Sequence, residues 1–153
     1  MAREKLKPII REMIPQDRPV VAKLEQMVYP DPWSEEVMAG FLENESCAAL
    51  VLELQGKKVV GSLFYERRGK SFWLHCLTVH PRYRLRGYGR ALIGCLTSRL
   101  TPNKRNKCEL HVRETNLTAQ LFFQRLKFLA TEVIPEYYED TKEDAYHMQY
   151  VVE

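Results

Sequence analysis

The chain is predicted to be an α/β protein: a single mixed β-sheet of about seven strands flanked by about four helices. Three observations lead there. Short runs rich in β-branched and aromatic residues alternate with amphipathic stretches of helical period. The elements read in the order β-α-α-β-β-β-α-β-α-β-β. In the middle, HPRYRLRGYGRAL (His80 to Leu92) sets two glycines and four arginines between a strand pattern and a helix pattern. This marks a strand–helix–strand crossover.

Each element has its own signal. PIIREMI (Pro8 to Ile14) reads as a strand. The helix that follows places Val20, Val21, Leu24, Met27 and Val28 at helical spacing, and PDPW breaks it. Ser34 is placed to cap a second helix with Val37, Phe41 and Leu42 on its apolar side; Glu35 and Glu36 lie near its positive end. CAALVLEL and KVVGSLFYER read as a hairpin joined by QGK, and SFWLHCLTVH as a third strand of an antiparallel meander. RALIGCLTSRL puts Leu92, Cys95, Leu96 and Leu100 on one helix face. In KCELHVR, Cys108, Leu110 and Val112 point one way and Glu109, His111 and Arg113 the other. Asn116 is placed to cap a last helix with Ala119, Phe122 and Leu126 on one side. FLATEVIPEYY and AYHMQYVV close the chain as a hairpin.

The 153 residues suit one domain, 1–153, and no repeat or linker interrupts it. The start, MAREKLKPIIREM, is basic but lacks the apolar segment of a signal peptide, and no apolar stretch is long enough to span a bilayer. A cytoplasmic location without a membrane partner is the expectation. Cys47, Cys76, Cys95 and Cys108 are widely spaced and form no C-x-x-C pair, so free thiols are expected and no metal site. Net charge is only +3, but residues 82–107 carry eight basic residues and no acid, while residues 132–144 carry six acids against Lys142 alone. The basic stretch invites an anionic ligand.

A strand that runs into glycines and then a helix aims free backbone N–H groups and the helix dipole at one spot, which favours a phosphate or pyrophosphate. Gly87 and Gly89 let such a ligand approach the main chain. A dinucleotide fingerprint would need a third glycine where Leu92 stands, and a Walker loop would need Lys where Arg90 stands.

HPRYRLRGYGRAL resembles the acetyl-CoA loop of the GNAT acetyltransferase superfamily, Arg/Gln-x-x-Gly-x-Gly/Ala, through Arg84, Gly87 and Gly89. YPDPWSEEVMAGFL, CELHVRETNLTAQLFFQRLKF and YYEDTKEDAYHMQ resemble, in the same order, segments of the ribosomal-protein-alanine N-acetyltransferases. The resemblance implies a GNAT fold, acetyl-CoA as co-substrate and acetyl transfer to an amine. It implies that the amides of Leu85, Arg86, Gly87, Tyr88, Gly89 and Arg90 hold the pyrophosphate. Leu77, Thr78 and Val79 would pair with the pantetheine arm, and Asn116 would touch the cofactor. A peptide N-terminus would lie by Tyr29 and Pro30 on one side and Tyr137 and Tyr138 on the other.

Two departures matter. Bacterial relatives carry Leu-Glu-Val-Arg, with that Glu as the supposed base; His111 stands there. They carry a tyrosine as supposed acid further on; Phe123 stands there, a core aromatic whose ring could line the thioester channel. His111 in LHVR is similar to the histidine of some eukaryotic N-terminal acetyltransferases, and a histidine titrating near ~6.5 is a competent base at neutral pH. His75, which shares a strand face with Trp73 and Leu77, is the second candidate. A protein α-amine (pKa about 7.8) needs far less help to lose its proton than a lysine (about 10.4), which favours an N-terminal substrate. The acidic loop Glu139 to Asp144 could attract a cationic amine or a basic ribosomal protein. Two alternatives stand beside this reading: a GNAT enzyme for lysine side chains or small amines, and a catalytically weak acetyl-CoA binder. No RNA-binding strand pattern appears, so nucleic acid ranks last. Monomer and dimer both remain open.

Overall fold

The structure, a computed structural model, describes residues 7–55 and 58–153. The residues of the expected QGK turn beyond Gln55, and the first six residues, lie outside that range. Among the described residues seven strands and four helices follow the expected order: β1 (Pro8–Glu12), α1 (Arg18–Val28), α2 (Glu35–Glu43), β2 (Cys47–Leu54), β3 (Lys58–Arg68), β4 (Ser71–Val79), α3 (Tyr88–Thr97), β5 (Lys107–Arg113), α4 (Leu117–Arg125), β6 (Leu129–Ile134) and β7 (Ala145–Val151). Short 3₁₀ turns at Pro15–Asp17 and Pro81–Tyr83 precede α1 and follow β4. The strands hydrogen-bond in the order β1-β2-β3-β4-β5-β7-β6. The β1/β2, β2/β3, β5/β7 and β6/β7 pairs are antiparallel, while β4/β5 is parallel. This is the mixed sheet with a central crossover expected above. No helix among the described residues is long and apolar enough to cross a membrane.

Two compact units share the chain: Met1–Glu66 with His75–Leu96, and Arg67–Leu74 with Thr97–Glu153. The first has a core of Val21, Leu24, Met38, Val51 and Phe64, with Trp33 and Phe41 packed against it. Its helices present slightly different faces from those expected. Glu25 is buried and Met27 exposed on α1; Met38 is buried and Val37 exposed on α2. On α3, Ile93 is buried where Cys95 is only half-buried. Ser34 caps α2 as expected, its hydroxyl accepting from Val37 N at 3.2 Å. Arg11 and Asp17 tie β1 to the start of α1 through two hydrogen bonds of 2.7 and 2.9 Å. The guanidinium holds the Asp17 carboxyl below its usual range.

β3 is bulged where it faces β2: Leu52 pairs with Gly61 and Glu53 with Val59, leaving Val60 unmatched. The Val60 carbonyl accepts instead from His80 N at 2.7 Å, which anchors the chain just after β4. Beside the bulge, a Cβ on Gly61 would lie 3.2 Å from Leu92 Cδ1 and 3.3 Å from the Thr78 carbonyl. The missing side chain lets α3 sit close over the sheet.

In the second unit Cys108, Leu110, Val112, Phe123, Phe128, Ala145 and Met148 are buried. Asn116 caps α4 by accepting from Ala119 N at 3.1 Å. Phe123 packs against Phe122 and Phe128, with ring centroids 5.0 and 5.2 Å away.

Gly61→Val should destabilise the protein by about 1–3 kcal/mol, the range for overfilling a packed core, read as a lowered denaturant midpoint at unchanged m-value. An unchanged midpoint would show that α3 yields freely at this point.

Candidate active site

The glycine segment turns sharply and leaves open space beside Gly87. Leu85 (φ 63°) and Gly87 (φ 82°) both adopt left-handed backbone, turning the chain sharply into α3. Such a conformation is costly for Leu85 and free for Gly87. The space where a Gly87 side chain would stand is open. At the start of α3, Ala91 N donates to Gly87 O at 2.9 Å. By helix geometry the amides of Tyr88, Gly89 and Arg90 come too early in the helix for such a bond. Arg84, Arg86 and Arg90 are exposed. Arg86 covers one face of Tyr83 at 5.1 Å, and Lys58 also lies over that ring.

The adjacent end of β4 carries a polar cluster that sequence reasoning missed. Glu25, buried within the apolar stripe of α1, accepts from Thr78 Oγ1 at 2.7 Å and Cys76 Sγ at 3.1 Å through one carboxylate oxygen. Burial and then the charge of Glu25 push the Cys76 thiol up to about 12, so it stays protonated. Burial likewise lifts the Tyr29 phenol well above its ordinary range, and its hydroxyl donates to the Leu77 carbonyl at 2.6 Å. Of the predicted site residues, Tyr29, Leu77 and Thr78 are thus tied together, while Val79 is half-buried and Pro30 exposed. The sequence signal for Glu25 was an acid one position after Leu24 in an otherwise apolar helical face. His75 is engaged within this unit: its Nε2 lies 2.9 Å from Glu66 Oε1, and its ring meets Phe41 edge-on at 5.1 Å.

The second unit assembles its polar residues around His111. β5 buries Cys108, Leu110 and Val112 and turns Glu109, His111 and Arg113 to the other face, as the alternation predicts. The His111 ring is boxed edge-on by Trp73 (4.9 Å) and Tyr137 (4.7 Å). Its Nε2 lies 3.2 Å from His147 Nδ1. His147 Nε2 lies in turn 3.0 Å from Glu109 Oε1, and the other Glu109 oxygen accepts from the Ser71 hydroxyl. Burial, and then the neighbouring His147, lower the His111 pKa below its usual 6.5. At neutral pH the imidazole is therefore uncharged and able to accept a proton. Burial would raise Glu109, but hydrogen bonds from Ser71 and His147 outweigh it and keep the carboxyl below its ordinary value. His147 was not among the predicted site residues; its signal was positional, since it lies directly opposite His111 in the β5/β7 register.

The acidic loop is fastened to the end of β5 by Arg113. Arg113 reaches Asp140 and Glu143, each at 3.1 Å, and Thr115 and Thr141 also hydrogen-bond Glu143. Asp144 accepts from Glu136 N at 2.9 Å. Asp140 and Glu143 share the single charge of Arg113, which offsets part of the loop's negative charge. The Arg113 guanidinium lies 3.9 Å over the Tyr138 ring, which places Tyr138 in this network, while Tyr137 touches His111. Asn116 spends its Oδ1 on the α4 cap, and Phe123 is a buried core aromatic without an ionisable group.

Residues 18–128 match the model of the acetyltransferase (GNAT) family. The chain is 28% identical over 133 residues to an uncharacterized N-acetyltransferase of Methanocaldococcus jannaschii, covering 86% of this chain and 85% of that one. Its structure is similar to the ribosomal-protein-S18-alanine N-acetyltransferase of Escherichia coli, with a TM-score of 0.84 and 26% identity over 95% of this chain and 94% of that one. It is also similar to Ard1 of Thermoplasma volcanium, with a TM-score of 0.83 and 26% identity over 95% and 98%. A mixed seven-stranded sheet, a glycine turn opening the crossover helix and a family match over most of the length lead to one conclusion: the chain belongs to the GNAT acetyltransferase family and is an N-acetyltransferase.

Proposed function

We propose that this enzyme, working as a single domain over residues 1–153 in the cytoplasm, transfers the acetyl group of acetyl-CoA to the N-terminal α-amine of a protein, with His111 as proton acceptor. The observation that carries this reading is the state of His111: an uncharged imidazole, half-buried against Trp73 and Tyr137, on the strand position where the family resemblance implies a base.

The residues of the glycine segment fit the co-substrate. The amides of Leu85 to Arg90 offer donors for its pyrophosphate, and the open side of Gly87 leaves the main chain accessible. The exposed arginines add positive charge. Leu77, Thr78 and Val79 offer backbone to the pantetheine arm. Leu77 does so with one carbonyl lone pair already engaged by Tyr29. Asn116 offers its Nδ2 donors, since Oδ1 is committed to the cap. When bound, acetyl-CoA supplies an activated acyl carbon. His111 takes the proton lost by the attacking nitrogen, directly or through one water, as the C–N bond forms and the C–S bond breaks. With Phe123 carrying no proton to give, the leaving thiolate is protonated by water.

The absence of a strong acid–base pair favours an amine that is easy to deprotonate. At pH 7 the neutral fraction of a protein α-amine exceeds that of a lysine by ~10²-fold. Tyr137 beside the base and Tyr29 with Pro30 after α1 would position the peptide, with Tyr138 held by Arg113 behind Tyr137. The similarity to an enzyme named for an alanine N-terminus of a ribosomal protein supports the substrate class and makes a ribosomal protein a natural acceptor.

The test is a panel of short peptides bearing a free N-terminus, the same peptides blocked but with one internal lysine, and spermidine. We expect the α-amine to react ~10²-fold faster than lysine at pH 7, with the gap shrinking as pH rises. No product from free N-termini beside rapid acetylation of lysine or spermidine would overturn the reading.

His111→Ala should lower kcat by ~10² or more while leaving the KM for acetyl-CoA nearly unchanged. In the wild-type enzyme, activity should persist as pH falls to the His111 pKa. Because that pKa is depressed, the acidic limb of the kcat profile should centre below 6.5. A loss under threefold in the alanine variant, or a limb centred above 7, would remove His111 from the proton transfer.

A further inference from the structure

His111 is one member of a chain of four side chains, all within one unit. Ser71 of β4 donates to Glu109 of β5, Glu109 meets His147 of β7 at 3.0 Å, and His147 meets His111 of β5 at 3.2 Å. The two ends of the chain are chemically unequal, and with both rings uncharged that inequality orders the protons along it. An ionised carboxylate can only accept, so His147 Nε2 must carry a hydrogen. With both imidazoles uncharged each ring has one N–H, so His147 Nδ1 is then a lone pair that accepts from His111 Nε2–H. The lone pair of His111 is then on Nδ1, the nitrogen not used in the chain.

We propose that His147 is a positioning residue for acetyl transfer: it holds His111 as the Nε2–H tautomer, with Nδ1 presented as the proton acceptor, and links the imidazolium formed in the reaction to the Glu109 carboxylate. This deepens the reading of His111 as base and rests on it. In the reaction the amine proton goes to His111 Nδ1 as the nitrogen–acyl bond forms. The new positive charge is shared through Nε2–H with the His147 lone pair, whose own N–H is held by Glu109. The proton then returns to solvent, and all three side chains regain their starting state.

Geometry favours this role over simple cross-strand packing. His147 and Glu109 are mostly buried, with side chains 15% and 17% exposed. Polar groups removed from water are tolerated when they satisfy one another, and here the order with both rings uncharged does so and leaves the lone pair on His111 Nδ1. Trp73 touches both rings, at 4.9 Å for His111 and 5.5 Å for His147, and holds the pair in place. The other charged groups acting on His111 are Glu132 of β6, which favours its protonation, and Arg68 at the end of β3, which opposes it.

The test combines kinetics with the wild-type ring protonation. Nitrogen-15 NMR of the histidine side chains at pH 8 should show both His111 and His147 protonated on Nε2. His147→Phe keeps an aromatic ring but removes the acceptor, and should lower kcat about tenfold or more with the acetyl-CoA KM within twofold. His147→Asn, whose Oδ1 can stand in for Nδ1, should recover much of the loss. A wild-type His111 protonated on Nδ1, or a folded His147→Phe enzyme with kcat within twofold of wild type, would overturn the proposal. The NMR reading needs no variant, so it decides the matter even if His147→Phe fails to fold. Full activity of His111→Ala beside the Nε2–H tautomer would instead overturn the base assignment and, with it, the catalytic part of the proposal.

Discussion

The parallel pairing of β4 with β5 is the constraint from which the rest of the molecule follows. Ser71, Phe72 and Trp73 run alongside Lys107, Cys108 and Glu109 in the same direction. Two parallel neighbours cannot be joined by a tight turn; the chain must travel back along the sheet before the second strand begins. Residues 80–106 make that return, and their helix, α3, starts a few residues beyond β4. Its N-terminal amides and dipole are therefore delivered at the end of a strand, which is why glycines and arginines gather there. The same pairing sets Trp73 beside Glu109 and brings the Ser71 hydroxyl to that carboxylate.

The proposed chemistry then rests on local polarity more than on strong reactive groups. Glu109 is kept ionised by donors and His111 is kept neutral by burial and its neighbour. Two titratable groups pushed to opposite states at one pH can hold a directed line of hydrogen bonds without a net charge on the proposed base. Such a base suits a substrate whose own pKa lies close to neutrality. The acidic loop contributes structure, with Arg113 fastening Asp140 and Glu143, and Tyr137 reaches His111 from the edge of that loop.

Much of this was legible in the amino-acid sequence. Strand and helix periods gave the element order, Ser34 and Asn116 act as the caps their types suggest, and the alternation in KCELHVR put His111 on the open face of β5. What was hidden depended on partners distant in the chain. His147 is an unremarkable histidine until the β5/β7 register sets it opposite His111. Glu25 looks like a solvent-facing acid until Thr78 and Cys76 meet it in the interior. Periodicity put Met27 and Val37 inside, but a helix face is chosen by what packs on it, and Ala22, Glu25 and Met38 took the buried places. The tie between the acidic loop and Arg113 was likewise hidden, because Arg113 lies nearly thirty residues before Asp140.

The proposal that His111 Nδ1 receives the proton of a peptide α-amine while the glycine segment holds the co-substrate is tested by a crystal structure with a bisubstrate compound, coenzyme A joined through an acetyl bridge to a peptide α-nitrogen. The pyrophosphate is expected on the amides of Leu85 to Arg90. The α-nitrogen is expected within hydrogen-bond reach of His111 Nδ1, directly or through one water, with Tyr137 against the first peptide residue. An α-nitrogen placed at His75, or a His111 that turns Nε2 to the nitrogen and leaves His147, would contradict it.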